Sequence, residues 1–371
     1  TMQANGRVLA TAVVSAIDVP PLDNSQMDGY AVRTVDVPAV PVTLPVNQRI
    51  AAGQLGVALA PGTAARIFTG APIPAGADAV IMQEKCNAAG DKVTLTERPT
   101  RGEAIRKAGM DIARGDVVLK PGVRLKPQHC ALAASIGAAR LTVHRTLRVA
   151  TFFTGDELVM PGDPLPPGRI YNSNRFMLRG LLELLGCEVN DLGIVPDDLQ
   201  STRAALVNAA ADADLIISSG GVSVGEEDHV KPAVEAEGSL DLWQIAMKPG
   251  KPLAFGRVRN VPFIGLPGNP VSSFVTFVLF ARPFVLQRQG RAEALRTIFV
   301  RADFDWLQSS RRREFMRARL NDKGGLDIFP NQNSSVLTSV SWADGLIDNP
   351  SDHLIRSGDI VRFLPFSELL S

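Results

Sequence analysis

The clearest pattern in the chain is an alternation of short apolar runs with segments of helical period through its middle third. LRVATFF (147–153) is a short β-rich run. NSNRFMLRGLLELLG then carries apolar residues at helical spacing, with Asn172 or Ser173 as the cap and Gly186 at the stop. CEVNDLGIV predicts a second strand, DLQSTRAALVNAAAD a second helix and DLIISSGG a third strand. EDHVKPAVEAEG predicts the start of another helix. VPFIGLPGN predicts a strand and turn leading into the apolar run FVTFVLFARPFVL from Phe274. Strands alternating with helices predict a parallel α/β sheet covered on both faces, which binds ligands at the carboxyl ends of its strands. Three loops stand at those ends: TGDEL (154–158), SSGGVSVGEED (218–228) and LPGNP (266–270).

The flanks have a different period. From about Asp23 to Asp111, Gly, Pro and runs such as AARIFTG, AVIMQE and DKVTLTE predict a β-rich insert. From about Ala292, TIFVRADF, REFMRARL, GLDIFP and DIVRFLPF predict a small β-barrel or sandwich. A length of 371 residues with 45% hydrophobic content allows two or three domains with real cores. A net charge of +1 gives no case for nucleic acid or a membrane surface as partner. Cys86, Cys130 and Cys187 lie far apart without zinc or CxxC spacing, so a reducing cytoplasm is expected rather than a disulfide framework. The histidines also lack ligand spacing, so any metal is expected to be a hard, oxygen-ligated ion such as Mg²⁺. The start has no signal-peptide pattern. The run from Phe274 is too short to span a bilayer and holds Arg282 and Pro283, so it predicts a buried helix.

The loops carry the candidate chemistry. In SSGGVSVGEED, Gly220 and Gly225 have the spacing of a Walker A loop, but Glu226 and Glu227 stand where Lys and Ser/Thr would be. Gly220 and Gly221 remove Cβ atoms that would block a close approach, and backbone N–H groups there attract anions. The acids that follow either start a helix or, Asp228 by preference, hold a cation against a phosphate. Lys248 and Lys251 in MKPGKP form either a solvated turn or an oxyanion site. In LPGNP, Asn269 is a candidate N-cap with Pro270 at the first helical position, and the turn's amides could face an anion. In TGDEL, Asp156 suits a turn, whereas Glu157 suits a metal or acid/base work. On their own, DNSQMDGYAV predicts a polar turn, Thr69-Gly70 a hairpin, and RKAGMDIARGD, which holds Asp111, a solvated charged face.

Taken in order, DNSQMDGYAV, RIFTGAPIPAGADAV, GMDIARGD, TGDEL, SSGGVSVGEEDHVK, MKPGKPLAFG and GLPGNPVSS resemble the molybdopterin molybdenumtransferase family, which includes MoeA and the gephyrin E-domain. Each motif is weak alone; the ordered set, spread along nearly the whole chain, is specific. The resemblance implies insertion of molybdate into adenylylated molybdopterin with release of AMP, assisted by Mg²⁺. It implies a homodimer whose active cleft joins the α/β domain of one subunit to the insert of the other. Partners would be the molybdopterin adenylyltransferase and apo-molybdoenzymes. The implied division is a discontinuous N-terminal domain (1–22 and 112–145), a β-rich insert (23–111), an α/β molybdopterin-binding domain (146–290) and a C-terminal β-barrel (291–371). Family members usually begin with a helical segment, expected ahead of the present start.

Carried over motif by motif, Asp28, Thr69, Asp111, Glu157 and Asp228 would be the catalytic set, with Asp228 and Glu157 holding the metal. Asp197, Gly220, Gly221, Ser223, Lys248, Lys251, Pro267, Asn269 and Pro270 would bind substrate, with Arg317 and Ser334 contributed by the barrel. Gln244 departs from the family, standing where several relatives carry a basic residue. Two other readings keep the α/β module: a molybdopterin-binding scaffold without catalysis, and a nucleotide pyrophosphatase. The motifs of Asp28 and Thr69 in a β-rich insert argue against the latter.

Overall fold

The computed structural model describes residues 1–222, 229–291 and 295–370, in two units, Thr1–Val143 and His144–Ser371. The first unit is built on a six-stranded sheet: β1 (Gly29–Val32), β2 (Val42–Ile50), β3 (Ala64–Ile67), β4 (Ala79–Met82), β5 (Cys86–Ala89) and β6 (Lys92–Leu95). Their order is β4-β1-β3-β2-β6-β5. The alternation along these runs buries Val32, Leu44, Ala64, Ile81 and Val93 on one side and Ala31, Ile50, Ala65, Ile67 and Val80 on the other. Val13–Val14 pairs with Val117–Leu119, beside helix α1 (Pro127–Ser135).

The second unit opens with the expected α/β alternation: β7 (Arg148–Thr154), α2 (Ser173–Leu184), β8 (Glu188–Val195), α3 (Leu199–Asp212), β9 (Leu215–Ser219) and α4 (Val230–Glu237). It continues through β10 (Gly238–Gln244), β11 (Pro252–Val258), β12 (Val261–Leu266) and helix α5 (Pro270–Arg288). The sheet order is β8-β7-β9-β12-β11-β10. Its first four strands are parallel, as expected, but β11 is antiparallel to both of its neighbours, β12 and β10. The sheet is therefore mixed. The short connection from β11 to β12 is a hairpin turn, with no room for a crossover helix. Alternate residues of β7 face opposite layers. Val149 and Phe153 pack with Leu178 and Leu182 of α2 and Val275 of α5, whereas Ala150 and Phe152 pack with Leu206 of α3 and Val234 of α4.

The apolar run from Phe274 belongs to a longer helix than its own length implied. Residues 270–273 extend it, and α5 reaches 19 residues with a mean hydropathy of 1.3, long and apolar enough to cross a membrane. It is instead a core helix, with 67% of its apolar window buried inside the unit. The remainder of the chain forms β13 (Ile298–Arg301), β14 (Arg313–Leu320), β15 (Leu326–Ile328), α6 (Thr338–Trp342), β16 (Gly345–Asn349) and β17 (Ile360–Pro365). Met247–Lys248 joins this second sheet by pairing with Arg313–Glu314, so the lysine turn is anchored to the C-terminal strands.

Candidate active site

Chain reversal about β7 places its parallel neighbours β8 and β9 on opposite sides, and the loops after β7, β9 and β12 meet at the carboxyl end of the sheet. They enclose a cleft of about 810 Å³ lined by Glu157, Asp197, Gly220, Gly221, Pro267 and Asn269, with Pro270 and Ser272 from the start of α5. Seven residues of the sequence-based set, Glu157, Asp197, Gly220, Gly221, Pro267, Asn269 and Pro270, thus line one cavity. Glu157 is exposed, and its carboxylate oxygens fold back to 2.6 and 2.8 Å from where a Cβ at Gly155 would stand. Gly220 has φ +98°, and a Cβ there would lie 2.2 Å from the carbonyl oxygen of Thr154. The glycine turn is held tight over the end of β7, a packing only glycine allows. Ser223 and Asp228 lie outside the described residues.

Asn174 ties the loops together. Its Nδ2 donates to Ser219 Oγ at 2.9 Å and to the Gly268 carbonyl at 2.7 Å, while Ser219 Oγ donates to the Pro267 carbonyl at 2.9 Å. Asn172 caps α2, its side chain accepting from the Arg175 N–H at 3.1 Å. Asn269 stands at the cap position of α5 with Pro270 next to it, as expected, but its side chain makes no cap bond. The α5 terminus also has less to offer an anion than its sequence implies. The Val271 N–H already donates to the Ser334 carbonyl at 3.0 Å, binding the helix start to the loop after β15.

That link creates a second pocket of about 320 Å³, lined by Lys248, Lys251, Arg312, Asn333 and Ser334, which shares Pro252, Asn269 and Ser272 with the larger cleft. Lys248 is not free: its ammonium donates to Glu314 Oε1 at 2.9 Å, and Trp306 Nε1 donates to the other oxygen of that carboxylate at 3.0 Å. Glu314 is 3% exposed. Lys251 is exposed and makes no ion pair among the described residues. Arg312, which reaches the Met247 carbonyl at 3.5 Å, was missed in the sequence because it sits in a run of arginines that reads as solvated charge. Gln244 lies exposed on the edge strand β10.

Arg317 requires a correction. It is 1% exposed and does not line either pocket. Its guanidinium donates to Ser339 Oγ at 3.0 Å and to the carbonyls of Phe315 and Asn333 at 3.3 and 3.4 Å. Burial pulls its pKa down to about 10. Its contact with Asn333 braces the loop that carries Ser334, so it supports the pocket from behind.

In the first unit, Asp28 and Thr69 form one constellation. Asp28 Oδ1 accepts from the Thr69 N–H and from its hydroxyl, each at 2.8 Å. Arg66 supports the same loops, donating to the Gly29 carbonyl at 3.2 Å and to Gln83 Oε1 at 2.6 Å, while the Gln83 N–H donates to the Asp28 carbonyl at 3.0 Å. Asp111 is exposed on a separate loop, where its N–H donates to the Val19 carbonyl at 3.0 Å. The Thr69 backbone bond, then its hydroxyl, hold the Asp28 carboxyl below its ordinary pKa. A carboxyl depressed in the folded state adds stability above its unfolded pKa and loses it as pH falls through the folded value. Because the backbone bond is the larger cause, Thr69→Val should raise the Asp28 pKa only part of the way to that of a free aspartate. A carbon-13 NMR titration of the Asp28 carboxyl checks this; full return to the ordinary value would contradict it.

Sequence profiles match along the chain: "MoeA N-terminal region (domain I and II)" over residues 1–137, "Probable molybdopterin binding domain" over 150–287 and "MoeA C-terminal region (domain IV)" over 300–366. The chain is 46% identical to a molybdopterin molybdenumtransferase of Haemophilus influenzae, across 99% of this chain and 93% of the relative. It is 40% identical to molybdopterin molybdenumtransferase 2 of Mycobacterium tuberculosis, across 94% and 90%. A crystal structure of the MoeA molybdopterin biosynthesis protein from Pyrococcus horikoshii superposes with a TM-score of 0.86 at 32% identity, covering 98% of this chain and 93% of that one.

Proposed function

The chain belongs to the MoeA family of molybdopterin molybdenumtransferases, transferases that insert molybdenum in molybdenum cofactor biosynthesis, and we propose that the adjoining pockets of its second unit are where this insertion occurs. The observation that carries the proposal is the shared wall at Pro252, Asn269 and Ser272. A large cleft with a glycine turn suits the pterin and its phosphate. A small pocket with Lys248, Lys251, Arg312 and Ser334 suits a compact oxyanion such as molybdate. Side by side, they would hold the two reactants in reach of each other.

The finer chemistry follows the same reading. The substrate is adenylylated molybdopterin, and insertion releases AMP. Asp28, Thr69 and Asp111 belong to the catalytic set, and the chain acts as a homodimer in the cytoplasm. A molybdopterin adenylyltransferase supplies the substrate and apo-molybdoenzymes receive the product. For Mg²⁺, Glu157 and Asp197 give the cleft hard oxygen donors. That fits an ion bound by one or two carboxylates together with substrate phosphate. Glu157 and Asp228 would hold it, and when bound it would act as a Lewis acid on the phosphoanhydride.

Incubating the protein with adenylylated molybdopterin, molybdate and Mg²⁺ should release AMP in step with active cofactor. Asp228→Ala should lower both by at least about a hundredfold, or roughly 3 kcal/mol of barrier, while the protein stays folded. AMP without active cofactor would contradict insertion. Wild-type rates in the variant would remove Asp228 from the metal site.

A further inference from the structure

One row across the sheet of the first unit carries two arginines side by side. Register sets Tyr30 of β1 opposite Arg66 of β3, and Arg66 opposite Arg49 of β2, so the three side chains project from the same face. Phe68 follows two residues after Arg66, and its N–H donates to the Ile50 carbonyl at 3.2 Å, which carries the pairing past the end of β3. Both guanidiniums pack on its ring: Arg49 Cζ lies 4.4 Å from the centroid and Arg66 Cζ 4.8 Å. Arg66 Cζ also stands 5.1 Å from the Tyr30 centroid. The two cations are held differently. Arg66 is half-buried and fixed by its bonds to the Gly29 carbonyl and Gln83 Oε1. Arg49 is exposed, and none of its N–H donors is used among the described residues.

Like charges directly opposite one another destabilise a sheet, and the Phe68 ring offsets only part of that cost. A counter-charge is missing: neither arginine forms an ion pair among the described residues. Asp28 senses the charge of Arg66, which adds to the lowering of its pKa, but its carboxylate bonds to Thr69. The row ends beside that pair, because Gly29 follows Asp28 and Phe68 precedes Thr69. A fixed guanidinium next to one with its donor fork unused suits a phosphate group, which takes paired N–H donors. We infer that Arg49 and Arg66 form a phosphate-binding site beside Asp28 and Thr69. Arg66 is the fixed cation and Arg49 supplies the free donors. A bound phosphate replaces repulsion between the two with attraction to both. Free phosphate and the phosphate of a nucleotide share this chemistry. The transferase reading, on which this part of the inference rests, supplies the second: the adenylyl phosphate of the substrate, which leaves as AMP.

The Nε–H resonances of Arg49 and Arg66 in the full chain can be followed by nitrogen-15 NMR as AMP or inorganic phosphate is added. AMP should shift both along one saturation curve. Read at Arg66, Arg49→Met should weaken AMP binding about tenfold, the loss of one charge-assisted contact. The ligand-free Tm of Arg49→Met should not fall, because the lost side chain makes no hydrogen bond among the described residues and faces a like charge. Inorganic phosphate that saturates at the same concentration as AMP would assign the site to phosphate alone, and tighter binding of AMP would assign it to a nucleotide's phosphate; either result upholds the site. Resonances unmoved by both ligands, or equal AMP affinity in the variant, would overturn the inference. So would a ligand-free Tm several degrees lower in Arg49→Met, which would make the stack on Phe68 a structural strut. The shifts need no turnover. A protein that binds AMP here yet releases none from adenylylated molybdopterin would defeat the proposed function and leave the site standing.

Discussion

Lys248→Met is expected to lower the stability of the chain by roughly 3 kcal/mol, far more than loss of a half-exposed lysine ordinarily costs. The reason lies in its partner. The Lys248 side chain is 42% exposed, but that of Glu314 is 4% exposed, and the two meet at 2.9 Å. Without the ammonium, the buried carboxylate keeps only the Trp306 indole N–H among its described side-chain donors. Removing one member of a buried pair costs several kcal/mol, mainly because the other is left uncompensated. A second substitution separates fold from function. Glu314→Gln in the Lys248→Met background removes the stranded charge and should recover at least about half of the lost stability. Activity should stay low in both, because neither returns the cation to the oxyanion pocket. Urea unfolding beside a turnover assay reads both quantities. An unchanged unfolding midpoint in Lys248→Met would contradict the pairing, and recovery of activity in the double variant would contradict a role for the ammonium in the pocket.

Gly220→Ala should cost roughly 3 kcal/mol or more and abolish ligand binding in the large cleft. Two penalties combine. At φ +98° an L-residue is strained, and the new Cβ would lie 2.2 Å from the carbonyl oxygen of Thr154, which is backbone and cannot turn aside. Gly162 provides a control, with φ +101° and nothing within 4 Å of its would-be Cβ. Gly162→Ala should show the backbone penalty alone, about 1 kcal/mol. The difference between the two variants isolates the close approach that shapes the cleft. Equal losses in calorimetry would show that the turn relaxes and that the tight packing is not required.

Both positions show what a sequence carries and what it conceals. The parallel strands and their helices were legible because each is a buried apolar run or a helical-period stripe bounded by turn residues, as in DLIISSGG. Strands β10 and β11 were not, because GSLDLWQ and PLAFGRV lack a clean period, and Pro252 and Gly256 weaken the second as a strand signal. The glycine turn and the lysine turn were visible as motifs, and the structure brings them to adjoining pockets. Glu314 was not visible as a partner for Lys248, since a pairing across 66 positions leaves no local trace. Arg317 was carried over as a substrate contact from the family motif, which does not show burial; its hydrogen bonds to Ser339 and the loop carbonyls make a buried place for it. Asn174 left a signal that went unused. It shares a helical stripe with Leu178, Leu181 and Leu182, and a polar residue on a buried stripe needs a partner.

On the proposed function, the pocket beside the pterin cleft takes the oxyanion whose metal is inserted. Lys251 tests it most directly, because it is exposed, lines that pocket and makes no ion pair among the described residues. The measurement is formation of active molybdenum cofactor as a function of molybdate concentration, with wild-type protein and with Lys251→Met. The variant, with an unchanged Tm, should need about tenfold more molybdate for half-maximal formation, the loss of one charge-assisted contact. The same molybdate dependence in both proteins would contradict it.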